Sequence, residues 1–165
     1  MKRLFILVCF LAFSFAMNSQ QKTITVGDSV PNFKLWFVDG TTLTQNDIKN
    51  KVVVLKFWFT SCLPCVSDIS TLNKLVNELK NRNDILFIAP ALDRKDVIKK
   101  FLYNHKFDFK IAYSAIEASL IFNAKQIYPS YYVIDKNGRF VYVDNQSKKS
   151  HFSPLKEAIL TSLKE

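Results

Sequence analysis

Residues 52–59 read Val-Val-Val-Leu-Lys-Phe-Trp-Phe, an apolar and aromatic run broken only by Lys56. A run of this length without alternation predicts a central strand buried on both faces. Directly after it come Cys62 and Cys65, and then Val66, Ile69, Leu72, Leu75, Val76 and Leu79 recur at three- and four-residue intervals. That spacing predicts one amphipathic helix with a core-facing stripe. The two cysteines therefore fall at a strand-to-helix junction.

The remaining pattern is read the same way. Residues 32–38 are extended and aromatic, Asp39-Gly40 is a hairpin turn, and residues 41–44 return as a second short strand. Residues 85–89 predict a buried strand, 95–104 a helix, 109–113 a short extended piece and 115–125 a helix. Residues 131–134 and 140–143 form strands joined by Asp135-Lys136-Asn137-Gly138. A last helix is expected to begin at Ser153-Pro154, with serine as its cap and proline in its first turn. The predicted order, β-β-β-α-β-α-β-α-β-β-α, implies an α/β domain with a mixed sheet covered on both faces and an N-terminal hairpin.

The N-terminus has a different character. Lys2 and Arg3 precede an apolar run from Leu4 to Phe15, followed by Asn18, Ser19, Gln20 and Gln21. This is the three-part form of a secretory signal, with cleavage after Ala16 or around Ser19. The chain accordingly divides into a signal peptide over residues 1–19 and one domain over residues 20–165. Export to the periplasm or cell envelope is expected, without a membrane span after cleavage, because the apolar run is short for a bilayer. Cys9 lies inside that run, whereas a lipid-bearing cysteine would follow it. The 165-residue chain, 48% hydrophobic and 14% aromatic, has ample material for a single core.

Two of the nine net positive charges leave with the signal as Lys2 and Arg3. The rest are spread among acids without an aromatic-interleaved stripe, so no nucleic-acid partner is expected. A basic surface remains compatible with acidic partners or with contact to an anionic membrane.

With Cys9 removed, Cys62 and Cys65 are the mature chain's only cysteines. A two-residue spacer closes too little chain to stabilise a fold, which points to a chemical role. The first sulfur at a helix start lies where free N–H groups and the helix dipole favour a thiolate, so Cys62 is read as the nucleophile and Cys65 as the resolving thiol. Leu63 and Pro64 lie between them, and Pro64 stiffens the first turn without losing a needed donor. A zinc half-site has the same spacing but needs two more ligands, and His105 and His151 are isolated. No metal and no cofactor is called for.

The segment Lys56-Phe57-Trp58-Phe59-Thr60-Ser61-Cys62-Leu63-Pro64-Cys65 resembles the active-site segment of the thioredoxin superfamily, and specifically its exported TlpA/ResA-like thiol-disulfide oxidoreductases. Val26-Gly27-Asp28-Ser29-Val30-Pro31-Asn32-Phe33 resembles that branch's opening, Tyr128-Pro129-Ser130 its cis-proline turn, and residues 133–139 the hairpin after it. The resemblance implies a thioredoxin-like fold, a cis Pro129 facing the cysteines, and substrate contacts from Trp58, Leu63, Pro64, Tyr128 and Pro129. It also implies a disulfide-bearing exported protein as substrate and an upstream thiol as electron donor.

Three positions depart from the family pattern. Asp68 stands where a glutamate is frequent; it is either a proton carrier for Cys65 or an exposed helix aspartate. Ser61 replaces a tryptophan, which removes part of a docking surface. Lys56 stands where relatives carry an acid or asparagine; its stem is expected to snorkel its charge to solvent, the alternative being an ammonium near the sulfurs. A peroxiredoxin-like peroxidase and a copper-handling module are the competing readings. The first places a threonine three residues before the cysteine, where this chain has Phe59, and the second usually separates its cysteines by three residues.

Overall fold

The computed structural model describes residues 23–145 and 152–165. The expected signal peptide with Cys9, and His151, lie outside the described residues. The sheet is five-stranded, in the order β5-β4-β3-β6-β7. Its strands are β3 (Val52–Phe57), β4 (Ile85–Pro90), β5 (Lys110–Ala112), β6 (Ser130–Ile134) and β7 (Phe140–Asp144). β4 pairs parallel with β3 and with β5, whereas β6 runs antiparallel to both β3 and β7. A separate hairpin, β1 (Lys34–Trp36) with β2 (Thr42–Thr44), precedes it. The helices are α1 (Leu63–Ser67), α2 (Ile69–Leu79), α3 (Lys95–Asn104), α4 (Ile116–Phe122) and α5 (Phe152–Ser162).

All six residues of β3 are buried, as its unbroken apolar run predicts. Alternation along the strand sends Val52, Val54 and Trp58 into one core, with both cysteines, α2 and α5. Val53, Leu55 and Phe57 enter the other, with the hairpin and α4. Phe122 of α4 is the centre of that second core, its ring packed on Phe33, Phe57, Tyr132 and Phe140 at centroid separations of 5.4 to 6.0 Å.

The hairpin turn at Asp39-Gly40 is built as its sequence demands: Gly40 has φ +91°, and Asp39 Oδ1 accepts the Thr41 N–H at 2.9 Å. At the end of β1 and the start of the turn, Phe37 bridges to Ala112, Val38 N–H donates to Ile111, and Tyr113 N–H donates to Trp36. These bonds cover the open edge of β5, which would otherwise present unpaired backbone groups.

The strand ends differ from the sequence reading by a residue or two, and the helices differ from it at three places. α4 ends at Phe122, where Asn123 turns the chain by bonding through Nδ2 to the Ile127 carbonyl. α5 starts at Phe152, so Ser153 lies inside its first turn instead of capping it, with Pro154 beside it. The helix expected after the cysteines is two helices, broken at Asp68.

Truncation of Phe122 to Ala is expected to cost about 3–5 kcal/mol, read as a lowered urea midpoint, because it empties the centre of one core. A loss below about 1 kcal/mol would show that α4 does not hold that face.

Candidate active site

The chain leaves β3 at Phe57, and its next residues are fixed from the neighbouring loop. Trp58 bridges to Ala91, and Thr60 gives its N–H and its hydroxyl to the Asp93 carboxylate at 2.7 and 3.1 Å. Asp93 in turn accepts the Ser114 N–H on its backbone carbonyl. Loops after β3, β4 and β5 thus share one polar anchor just ahead of the cysteines. Nothing in the local pattern around Asp93 marks it, since its partners are 33 or fewer residues away only through the parallel sheet.

Cys62 is the N-cap of α1 and is joined to Cys65 by a disulfide of 1.98 Å. Its Sγ accepts the Cys65 N–H at 3.3 Å, which satisfies one of the helix's free donors. Cys62 is 6% exposed and Cys65 fully buried, so solvent reaches the pair from the Cys62 side. Leu63, 82% exposed, stands beside Cys62 as an apolar side chain on the surface, and Pro64 is exposed in the same turn.

The Tyr128–Pro129 peptide is cis. Its place follows from register: Ser130 pairs with Phe57, so Tyr128 and Pro129 lie alongside the residues through which β3 reaches the cysteines. Tyr128 packs edge-on against Phe59 at 5.5 Å, and its hydroxyl bonds to Ser119 at 2.7 Å and donates to Gln126 at 2.6 Å. The half-buried Tyr128 ring packs against the core cluster that contains both sulfurs.

Trp58 is corrected by the structure. It is fully buried, donates its indole N–H to the Ala89 carbonyl and packs edge-on against Phe101 and Phe107, leaving no surface for a substrate. His105 stacks flat on Phe101 at 4.0 Å and bonds through Nδ1 to that residue's carbonyl. Among the described residues no group of three or more His, Cys, Asp or Glu could hold a metal ion.

Lys56 is the second correction. The expected route to solvent is closed, because β3 has a strand on either side and packed layers above and below; the residue is 0% exposed. Its Nζ instead donates to the Cys65 carbonyl at 2.6 Å and lies 5.7 and 5.4 Å from the ring centroids of Phe107 and Tyr131. Burial pushes its pKa down to about 8, against the opposing pull of Asp68. The Cys65 carbonyl is the one a continuous helix would offer to the N–H of Ile69. Its capture by Lys56 accounts for the break between α1 and α2.

Asp68, at that break, is half-buried and accepts the Tyr131 hydroxyl at 2.6 Å, so the exposed-helix reading does not hold. Burial, and then the Asp68 carboxylate, hold the Tyr131 phenol far above its ordinary range, which keeps it a donor. Tyr131 pairs with Lys56 across the strands. Its apolar flanks disguised this partner as ordinary strand, and only the register reveals it.

The family model described as Redoxin matches residues 25–159. The chain belongs to the Redoxin family. It is 27% identical over 124 residues to a thiol-disulfide oxidoreductase ResA of Bacillus thuringiensis, covering 74% of this chain and 71% of that protein. A crystal structure from Chlorobium tepidum, described as a thiol:disulfide interchange protein DsbE, superposes with a TM-score of 0.75 at 24% identity, covering 86% of this chain and 99% of that one. A solution structure from Neisseria meningitidis, described as a thioredoxin, gives 0.70 at 28% identity, covering 84% and 93%. Fold and relatives agree with the Cys62–Cys65 pair: this Redoxin-family chain is a thiol-disulfide oxidoreductase of the thioredoxin superfamily, ResA/TlpA-like in kind.

Replacing Asp93 by Ala is expected to cost about 1–3 kcal/mol in urea unfolding, because a charged acceptor of two bonds is lost. Amide exchange at Thr60 should speed up while β3 itself stays protected. Unchanged exchange at Thr60 would show that Asp93 does not hold the loop.

Proposed function

We propose that the protein is an exported reductase of protein disulfides, working in the periplasm or cell envelope through a mixed-disulfide intermediate. The observation that carries this reading is the asymmetry of the pair: Cys62 at the accessible edge beside exposed Leu63, and Cys65 buried beneath it. In the reduced enzyme the Cys62 thiolate attacks one sulfur of a substrate disulfide, forming a new S–S bond and expelling the other substrate sulfur, which takes up a proton. Cys65, losing its proton, then attacks Cys62 Sγ. The second substrate sulfur leaves as a thiol, and the Cys62–Cys65 bond forms. Two electrons have passed to the substrate, and a thiol electron donor must return them.

Leu63, Pro64 and the Tyr128-Pro129 turn form the substrate-facing surface in this reading, which suits an extended, partly apolar segment around the target disulfide. Asp68, which closes α1 three residues after Cys65, is the proton carrier for Cys65 in this reading, with the Tyr131 hydroxyl on one of its oxygens. Export rests on the charged, apolar and polar succession of residues 1–19.

Insulin reduction with dithiothreitol tests the assignment. Wild type should accelerate it, and Cys62→Ser should fall to the uncatalysed rate. Cys65→Ser should accumulate a mixed disulfide through Cys62, separable on a non-reducing gel. Equal rates for wild type and Cys62→Ser would refute the catalytic role, and a redox equilibrium lying far on the oxidising side of glutathione would refute the reductase direction.

A further inference from the structure

An ammonium with no exposure is costly unless something compensates it, and the groups around Lys56 compensate it only in part. Its hydrogen bond goes to a neutral carbonyl, that of Cys65. Phe107 and Tyr131 offer ring faces. The nearest carboxylate, Asp68, is engaged by the Tyr131 hydroxyl; Asp144 and Tyr142 of β7 act on Tyr131 from the far side. Among the described residues the other titratable groups packed here are Cys62 and Cys65 themselves, and in the disulfide neither carries charge. The site is therefore a buried cation, bonded to the backbone of a redox cysteine and balanced only in part by the Asp68 carboxylate, to which reduction adds a second negative charge.

We propose that Lys56 is the electrostatic positioning residue of the cysteine pair: its buried ammonium stabilises the thiolate formed when the Cys62–Cys65 bond is reduced, and so makes the pair more oxidising than the fold alone would. The inference rests on the pair exchanging with external thiols. When a dithiol donor reduces the bond, its two electrons cleave Cys62–Cys65 and its own sulfurs join in a disulfide. One of the two protons released goes to one enzyme sulfur, and the other sulfur remains a thiolate. The second proton goes to Lys56 Nζ where that amine was neutral, and to solvent where it was already charged. The lowered pKa of the oxidised form makes both cases relevant near neutral pH. Coulombic stabilisation in so dry a place is stronger than at a surface.

The test compares wild type, Lys56→Met and Lys56→Gln in glutathione redox buffers, with the thiolate ultraviolet absorbance followed against pH. Methionine matches the stem in an apolar site, while glutamine keeps a neutral donor for the Cys65 carbonyl. Both variants should shift the equilibrium toward the disulfide by at least about tenfold, roughly 30 mV toward the reducing side, and both should raise the midpoint of thiolate formation. Wild type offers an arm independent of any variant's folding. Above a pH of about 8, where the amine of the oxidised form is neutral, reduction should still take up two protons per two electrons, and not one.

Wild type that exchanges normally but takes up one proton in that range, or a glutamine variant with an unchanged equilibrium, would overturn the proposal. The latter result would make Lys56 a backbone clamp alone. Failure of wild type to equilibrate with glutathione at all would instead strike the underlying oxidoreductase reading.

Discussion

The structure depends on one strand being buried on both sides. β3 carries Val52, Val54 and Trp58 into one core and Val53, Leu55 and Phe57 into the other. Its backbone groups are paired with β4 and β6. Because every direction away from β3 is occupied, the chain can leave the sheet only past Phe57, and there it meets α1 and the cysteines. The position of the disulfide is thus a consequence of where the densest part of the fold ends.

The same constraint explains the chemistry behind the sulfurs. A lysine on an exposed strand would lift its charge into water and have no bearing on the site. On this strand the stem cannot reach the surface, so Nζ finds the Cys65 carbonyl and two aromatic faces. That contact divides the helix at Asp68, and the division leaves the Asp68 carboxylate facing the Tyr131 hydroxyl. A single buried cation thereby links strand, helix break and the cysteine backbone. On the accessible side the arrangement is simpler, with Leu63 exposed beside Cys62, the Tyr128 ring against Phe59 and the loop ahead of Cys62 fixed by Asp93.

Wherever an element's character was set by neighbours in the chain, it was readable in advance. Unbroken apolar runs, turn residues and the 3.6-residue period located the strands and helical regions of the described residues, and Gly40 and Gly138 marked turns whose positive φ values favour glycine. The cysteine pair declared its chemistry by its place at a strand-to-helix junction and by the lack of further ligands in the sequence. Element ends were less legible, because side-chain bonds such as that of Asn123 to Ile127 decide where α4 stops.

The sequence by itself determined the α/β order, the buried strand leading into Cys62-Leu63-Pro64-Cys65, and the spacing that lets those two sulfurs join. Tertiary structure alone decided what surrounds them. It withdrew Trp58 from the substrate side into the core, enclosed Lys56, joined Asp68 to Tyr131 across 63 residues and brought Asp93 under Thr60. Hydrophobic periodicity says that a position faces a core, but not whether a polar atom placed there finds a partner. That depends on sheet register and on layers contributed by distant parts of the chain.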